Sequence, residues 1–167
     1  MKLTSILNNI ISEVGEGSAK PYAFSTTFEE GDSKYSHRTV DFKTEDNDQY
    51  QVELHAYWGD NWVTDTYGYH ITIDFFLAGA LGFRDADVVV NKGRLFRVMA
   101  TIVQIAKEFM YLIDYKENFI DQLIVTPTKS EDFDDNRRAN LYMAYMKKHL
   151  PIKSINYDGD EIIAILK

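Results

Sequence analysis

The pattern of apolar residues predicts an α+β fold: an N-terminal amphipathic helix, an antiparallel sheet of about four strands, then a helix, a strand, a second helix and a closing hairpin. Three observations predict it. Residues 3 to 14 place Leu3, Ile6, Leu7, Ile10, Ile11 and Val14 on one helical stripe. "YQVELHAYW" (50–58) and "YHITIDFFL" (69–77) alternate with a period of two. From about 94 to 113 the period returns to that of a helix, through Leu95, Val98, Met99, Ile102, Ala106, Phe109, Met110 and Ile113.

In chain order, Thr4 or Ser5 starts the first helix, and Gly15 and Gly17 end it. "GEGSAKP" (15–21) reads as a linker, dividing a helix at 1–17 from a single domain at 18–167. The helix packs on the sheet or docks a partner through Leu3, Ile6, Leu7 and Ile10. "YAFSTTF" (22–28) and "HRTVDF" (37–42) are short strands around an "EEGDSK" turn. In the third strand Tyr50, Val52, Leu54, Ala56 and Trp58 take one face, and Gln51, Glu53, His55 and Tyr57 the other. His70 and Asp74 stand where the next strand would bring them alongside. "FIDQLIVTP" (119–127) is a buried-type strand stopped by Pro127, and "KSINY" and "EIIAILK" form a hairpin around Asp158-Gly159.

Composition narrows the function classes. Cysteine is absent, which removes disulfides, thiolate metal sites and a cysteine nucleophile. Eighteen basic residues against 26 acidic ones give a net charge of −8, which repels nucleic acid on average. No apolar run reaches the length of a membrane span, and Asn8 and Asn9 interrupt the N-terminal apolar segment, against a signal peptide. The expected location is a virion or a host cytoplasm.

"SEDFDDNRRANLYMAYMKKHL" (130–150) looks most like chemistry, with acids, two arginines and aromatics together. Asp132, Asp134 and Asn136 begin like a calcium loop, but Arg137 stands where glycine is needed and Met143 where the bidentate glutamate would be. The acids fit a helix start capped by Asp134 or Asp135, with Leu141, Tyr142, Tyr145 and Met146 as the packing face. An anion site fits better at "VVVNKGRLF" (88–96), where Lys92, Gly93 and Arg94 open the central helix. Histidines 37, 55, 70 and 149 lack metal-motif spacing, and neither a serine elbow nor a nucleotide loop is present. Trp58, Trp62 and Tyr67, with Tyr69, form an aromatic cluster that is either packing or a recognition surface.

From residue 93 onward the chain resembles the second half of a GNAT-superfamily acyltransferase, through Gly93, the helix after it, "QLIVTP", "NRRANLY" and the closing strands. The resemblance implies a GNAT-like order of elements and, for an active member, acetyl-CoA held by Lys92, Gly93 and Arg94. Tyr142 would then be the proton donor and Glu53 or His55 the base. Arg94 and Leu95 stand where that family's pyrophosphate loop needs small residues, and Ala139 to Leu141 is one residue short of its spacing. "KGRLFRVMATIVQIAKEF" and "NRRANLYMAYMKKHLP", with the N-terminal helix, are also similar to small tailed-bacteriophage proteins. The combined expectation is a non-enzymatic phage protein with a degenerate GNAT-like domain and no cofactor. It would contact other virion proteins or a host protein, as a virion-associated structural or accessory component. The alternatives are an acyl-CoA-dependent N-acyltransferase and an acidic inhibitor of a host defence complex.

Overall fold

A computed structural model describes residues 19–61, 65–78, 84–85, 92–114, 120–126, 135–158 and 161–167. The expected N-terminal helix, with Leu3, Ile6, Leu7 and Ile10, lies outside these residues, as does Trp62. The strands are β1 (Phe24–Gly31), β2 (Tyr35–Lys43), β3 (Gln49–Asn61), β4 (Thr66–Ala78), β5 (Arg84–Asp85), β6 (Ile120–Thr126), β7 (Ile152–Asp158) and β8 (Glu161–Leu166). The helices are α1 (Lys92–Asp114) and α2 (Asp135–His149).

The expected fold is corrected here. The chain does not build an N-terminal helix plus a four-stranded sheet followed by separate elements in a GNAT-like order. Among the described residues it builds one mixed sheet, in the order β1-β2-β3-β4-β6-β8-β7, with the two-residue β5 paired to β4. The β4–β6 pair is parallel and every other pair is antiparallel. The reason lies in β6. Leu123 and Val125 are buried and its ladder is bonded on both sides, by β4 and by β8. Such a strand has to continue an existing sheet, because an open edge there would leave buried backbone groups unpaired.

Alternation fixes the two faces. Phe42, Val40 and Arg38 on β2 oppose Tyr50, Val52 and Leu54 on β3, which oppose Leu77, Phe75 and Ile73 on β4. This inner face carries both helices. Ile73, Phe75, Leu123 and Val125 of the sheet meet Met99, Ile102, Val103 and Ala106 of α1 and Tyr142, Tyr145 and Met146 of α2 around an apolar void of about 20 Å³. The α1 stripe is buried at Val98, Met99, Ile102, Ala106, Phe109 and Ile113. A fully buried side chain of this size contributes about 1.5–3 kcal/mol. No described helix is long and apolar enough to cross a membrane.

A polar clamp fixes the approach to β1. Thr101 on α1 is fully buried; its hydroxyl donates to the Arg97 carbonyl at 2.7 Å and accepts the Tyr22 N–H at 2.9 Å. The Tyr22 ring stacks on Phe42, and its hydroxyl donates to Glu45 at 2.5 Å. The Arg97 guanidinium sits 3.9 Å from the centre of the Tyr22 ring and pairs with Glu45. Tyr22 therefore precedes β1 rather than belonging to it, which shifts the strand from the expected 22–28.

Candidate interaction face

The outer face of β1 to β4 carries the densest polar chemistry among the described residues. Tyr35, His37 and Thr39 on β2 oppose Tyr57, His55 and Glu53 on β3, which oppose His70, Thr72 and Asp74 on β4. Phe28 joins them through a β-bulge. The β1–β2 register shifts between Thr26 and Phe28, so Thr26 opposes Val40 while Phe28 opposes Thr39 and Glu30 opposes His37. Plain alternation from Phe24 would have put Phe28 on the inner face, and the one inserted residue turns it outward.

The rings form a continuous strip. Phe28 and His37 have centroids 5.1 Å apart, and His37 stacks on His55 at 4.1 Å with planes 14° apart. His55 continues to Tyr57 at 6.1 Å, and Tyr57 meets Tyr35 at 5.1 Å. The Tyr35 hydroxyl is 3.2 Å from His55 Nδ1. The two ends of the strip are open to solvent, Phe28 at 46% and Tyr57 at 48% of their full exposure.

The turn between β1 and β2 holds Tyr35 in place. The Asp32 carboxylate accepts the backbone N–H of Lys34 at 2.7 Å and of Tyr35 at 3.0 Å, while the Asp32 N–H donates to the Tyr35 carbonyl at 2.8 Å. Gly31 is required next to it, since a Cβ there would stand 2.7 Å from the Tyr35 carbonyl oxygen. The hydroxyl of Tyr69 donates to the Ser33 carbonyl at 2.8 Å, and the Trp58 N–H donates to the Lys34 carbonyl at 2.9 Å. The turn is thus tied to β3 and β4.

Electrostatics follow from the crowding. Burial lowers the pKa of His55, the charge on His37 lowers it further, and Glu53, Asp74 and Glu30 oppose the shift. Burial raises the Tyr35 phenol, helped by Tyr57 and Glu30. His37 Nδ1 lies 3.6 Å from Glu30 Oε1, and its Nε2 is buried without a hydrogen-bond partner. Among the described residues no group of three or more His, Asp or Glu side chains is arranged to hold a metal ion.

The residues expected to act together in acyl transfer do not converge. Glu53 and His55 lie on the outer face, whereas Tyr142 packs against Phe75 on the inner one, with ring centroids 5.4 Å apart. The sheet stands between the proposed base and the proposed acid. Lys92, Gly93 and Arg94 form the first turn of α1, with side chains outside the described set. Trp58 meets Tyr67 and Tyr69 edge-on at 5.5 and 5.1 Å, so two of the three aromatics expected at a recognition surface do cluster. That cluster sits on the inner-face side of the β3–β4 hairpin, with Tyr67 55% exposed.

The sequence reading grouped Glu53, His55 and Tyr57 but passed over Phe28, Tyr35 and His37. Two of these had a signal: "YSHRTVDF" alternates Tyr35, His37, Thr39 and Asp41 against Arg38, Val40 and Phe42. Phe28 had none, because the bulge leaves no mark in the pattern. Compared with known proteins, the chain matches no protein-family model, no curated protein and no solved structure.

Proposed function

We propose that the chain is a non-enzymatic contact protein, a virion-associated structural or accessory component of the tailed-phage class that its sequence resembles, working through protein–protein contacts. The observation that carries this reading is the ring strip on the outer face, open at Phe28 and Tyr57. Aromatic side chains present large, rigid, amphipathic area at small entropic cost and are enriched where proteins meet. The separation of Tyr142 from Glu53 and His55 by the sheet supports the same reading.

Photo-crosslinking tests it. With p-benzoylphenylalanine in place of Tyr57, cells assembling particles should yield a discrete protein adduct. The same probe in place of Tyr111, on the solvent side of α1, should not. Adducts at neither position, or equally at both, overturn the reading, and co-sedimentation with purified particles tests the virion assignment.

One observation favours a second reading, acyl-CoA-dependent N-acyl transfer. The β4–α1–β6 crossover is the only parallel connection in the described sheet, and α1 follows the carboxyl end of β4. Open sheets take ligands beyond the carboxyl ends of parallel strands, where Lys92, Gly93 and Arg94 open the helix. Calorimetric titration with acetyl-CoA decides: micromolar binding that weakens in Gly93→Val supports it, and no binding at millimolar ligand removes it.

A further inference from the structure

We infer that the outer face of β1 to β4 docks an arginine-bearing segment of a protein partner. The inference rests on the contact-protein reading and adds the chemistry of the partner.

The strip offers ring faces and carboxylates in one place. Phe28, His37, His55 and Tyr57 run across three strands, with Glu30 opposite His37 and the pair Glu53 and Asp74 next along β3 and β4. Two like charges placed directly opposite each other on a sheet disfavour the pairing, and an incoming cation relieves it. Among the outer-face positions from Glu30 across to Asp74 no lysine or arginine intervenes; Lys43 stands at the far end of β2. A guanidinium suits such a surface better than an ammonium. It stacks on aromatic faces, sheds water more easily and pairs with a carboxylate through two parallel hydrogen bonds.

The molecule already uses this chemistry within itself. Arg97 lies over the Tyr22 ring and pairs with Glu45, which in turn accepts the Tyr22 hydroxyl. The outer face repeats ring and carboxylate without a cation of its own at the strip. Nucleic acid would meet the same carboxylates unfavourably, and the chain's net charge of −8 adds to that repulsion.

Docking of a cation should also weaken in acid. The groups facing His37 and His55 are Glu30 from β1, Tyr35 from β2, Glu53 and Tyr57 from β3, and His70 and Asp74 from β4. Of these the carboxylates ordinarily stay ionised above about pH 5, so acidification adds positive charge at the imidazoles first.

Fluorescence anisotropy of the full chain with labelled hexa-arginine and hexa-lysine peptides, at one ionic strength, tests the inference. Hexa-arginine should bind about fivefold tighter than hexa-lysine, since stacking of even an exposed guanidinium gives a factor of this order. Tyr57→Ala and Asp74→Asn should each remove most of that preference. Glu108→Gln, which deletes the same charge on the exposed side of α1, should leave it intact. Binding should weaken several-fold between about pH 7.5 and about pH 5.5. Equal affinity for the two peptides, or equal effects of Asp74→Asn and Glu108→Gln, would mean attraction by net charge alone and overturn the inference. If that happens while the crosslink at position 57 persists, the contact reading stands and only the arginine assignment falls. Loss of both overturns both.

Discussion

The two faces of β2, β3 and β4 are made by alternate residues of the same strands, yet they obey different rules. On the inner face Val52, Leu54, Ile71 and Ile73 meet α1 and α2 around a void too small to hold more than about one water. On the outer face Tyr35, His37, His55 and Tyr57 stack on one another, with carboxylates at their flank. Close packing makes the inner face intolerant of lost volume. The outer face satisfies its polar groups locally and leaves ring edges in water, so it can change with little effect on the fold. Stability and recognition are therefore separated by a shift of one residue along a strand.

The largest effect should come from the inner face. Phe109 is fully buried, and the Arg38 guanidinium lies 5.9 Å from its ring centre. Phe109→Ala should cost about 3–5 kcal/mol, through lost burial and the cavity left behind. Urea unfolding measures it, and a cost below about 1 kcal/mol would show that α1 does not pack as described.

Next in size is the clamp at the edge of that face. Thr101→Val keeps the shape but removes the acceptor of the buried Tyr22 N–H. Leaving that donor unsatisfied should cost about 1–3 kcal/mol. Amide exchange at Tyr22 should accelerate in the variant, while exchange within β3 and β4 slows or speeds only with global stability.

This division explains how much of the molecule was legible in the sequence. Period-two alternation assigned Val52 and Leu54 to one face and Glu53 and His55 to the other, and helical spacing assigned Phe109 to the core. Both rules are local and survive folding. Strand pairing is not local. Nothing in "QLIVT" says that β6 lies parallel to β4 and antiparallel to β8, so the expected four-stranded unit gave way to a seven-strand path. The strip was half legible for a related reason. Glu53, His55 and Tyr57 share a strand, whereas the stack of His37 on His55 depends on cross-strand register, and the outward turn of Phe28 depends on a bulge. The acyl-transfer grouping failed on the same point. Chain order places Tyr142 on a helix, but only the face on which that helix packs decides whether it can reach Glu53 and His55.

On the outer face the effects should be small. Tyr57 is nearly half exposed, so Tyr57→Ala should change stability by no more than about 1 kcal/mol. A larger loss would mean that the ring strip carries the fold as the inner face does, and the contrast between the faces would narrow. Thermal unfolding at neutral pH, compared with Phe109→Ala under the same conditions, sets the two faces on one scale.

The smallest effect concerns protons, and its sign follows from where His55 sits. Burial, then the neighbouring charge on His37, lowers its pKa in the folded chain. The unfolded chain therefore takes up a proton first as the pH falls through its ordinary value near 6.5, and the folded state loses stability from that point downward until the folded group also protonates. Above about 6.5 both states hold the imidazole neutral, and its contribution is fully present. Stability should thus be flat from about pH 8 to 7 and decline between about pH 6.5 and 5.5, before the carboxylates take over. His55→Gln should flatten the curve in that window and leave the decline at lower pH unchanged. If the variant and the parent chain instead fall in parallel from pH 6.5, the acid response belongs to other groups, and the stacked imidazoles behave as packing alone.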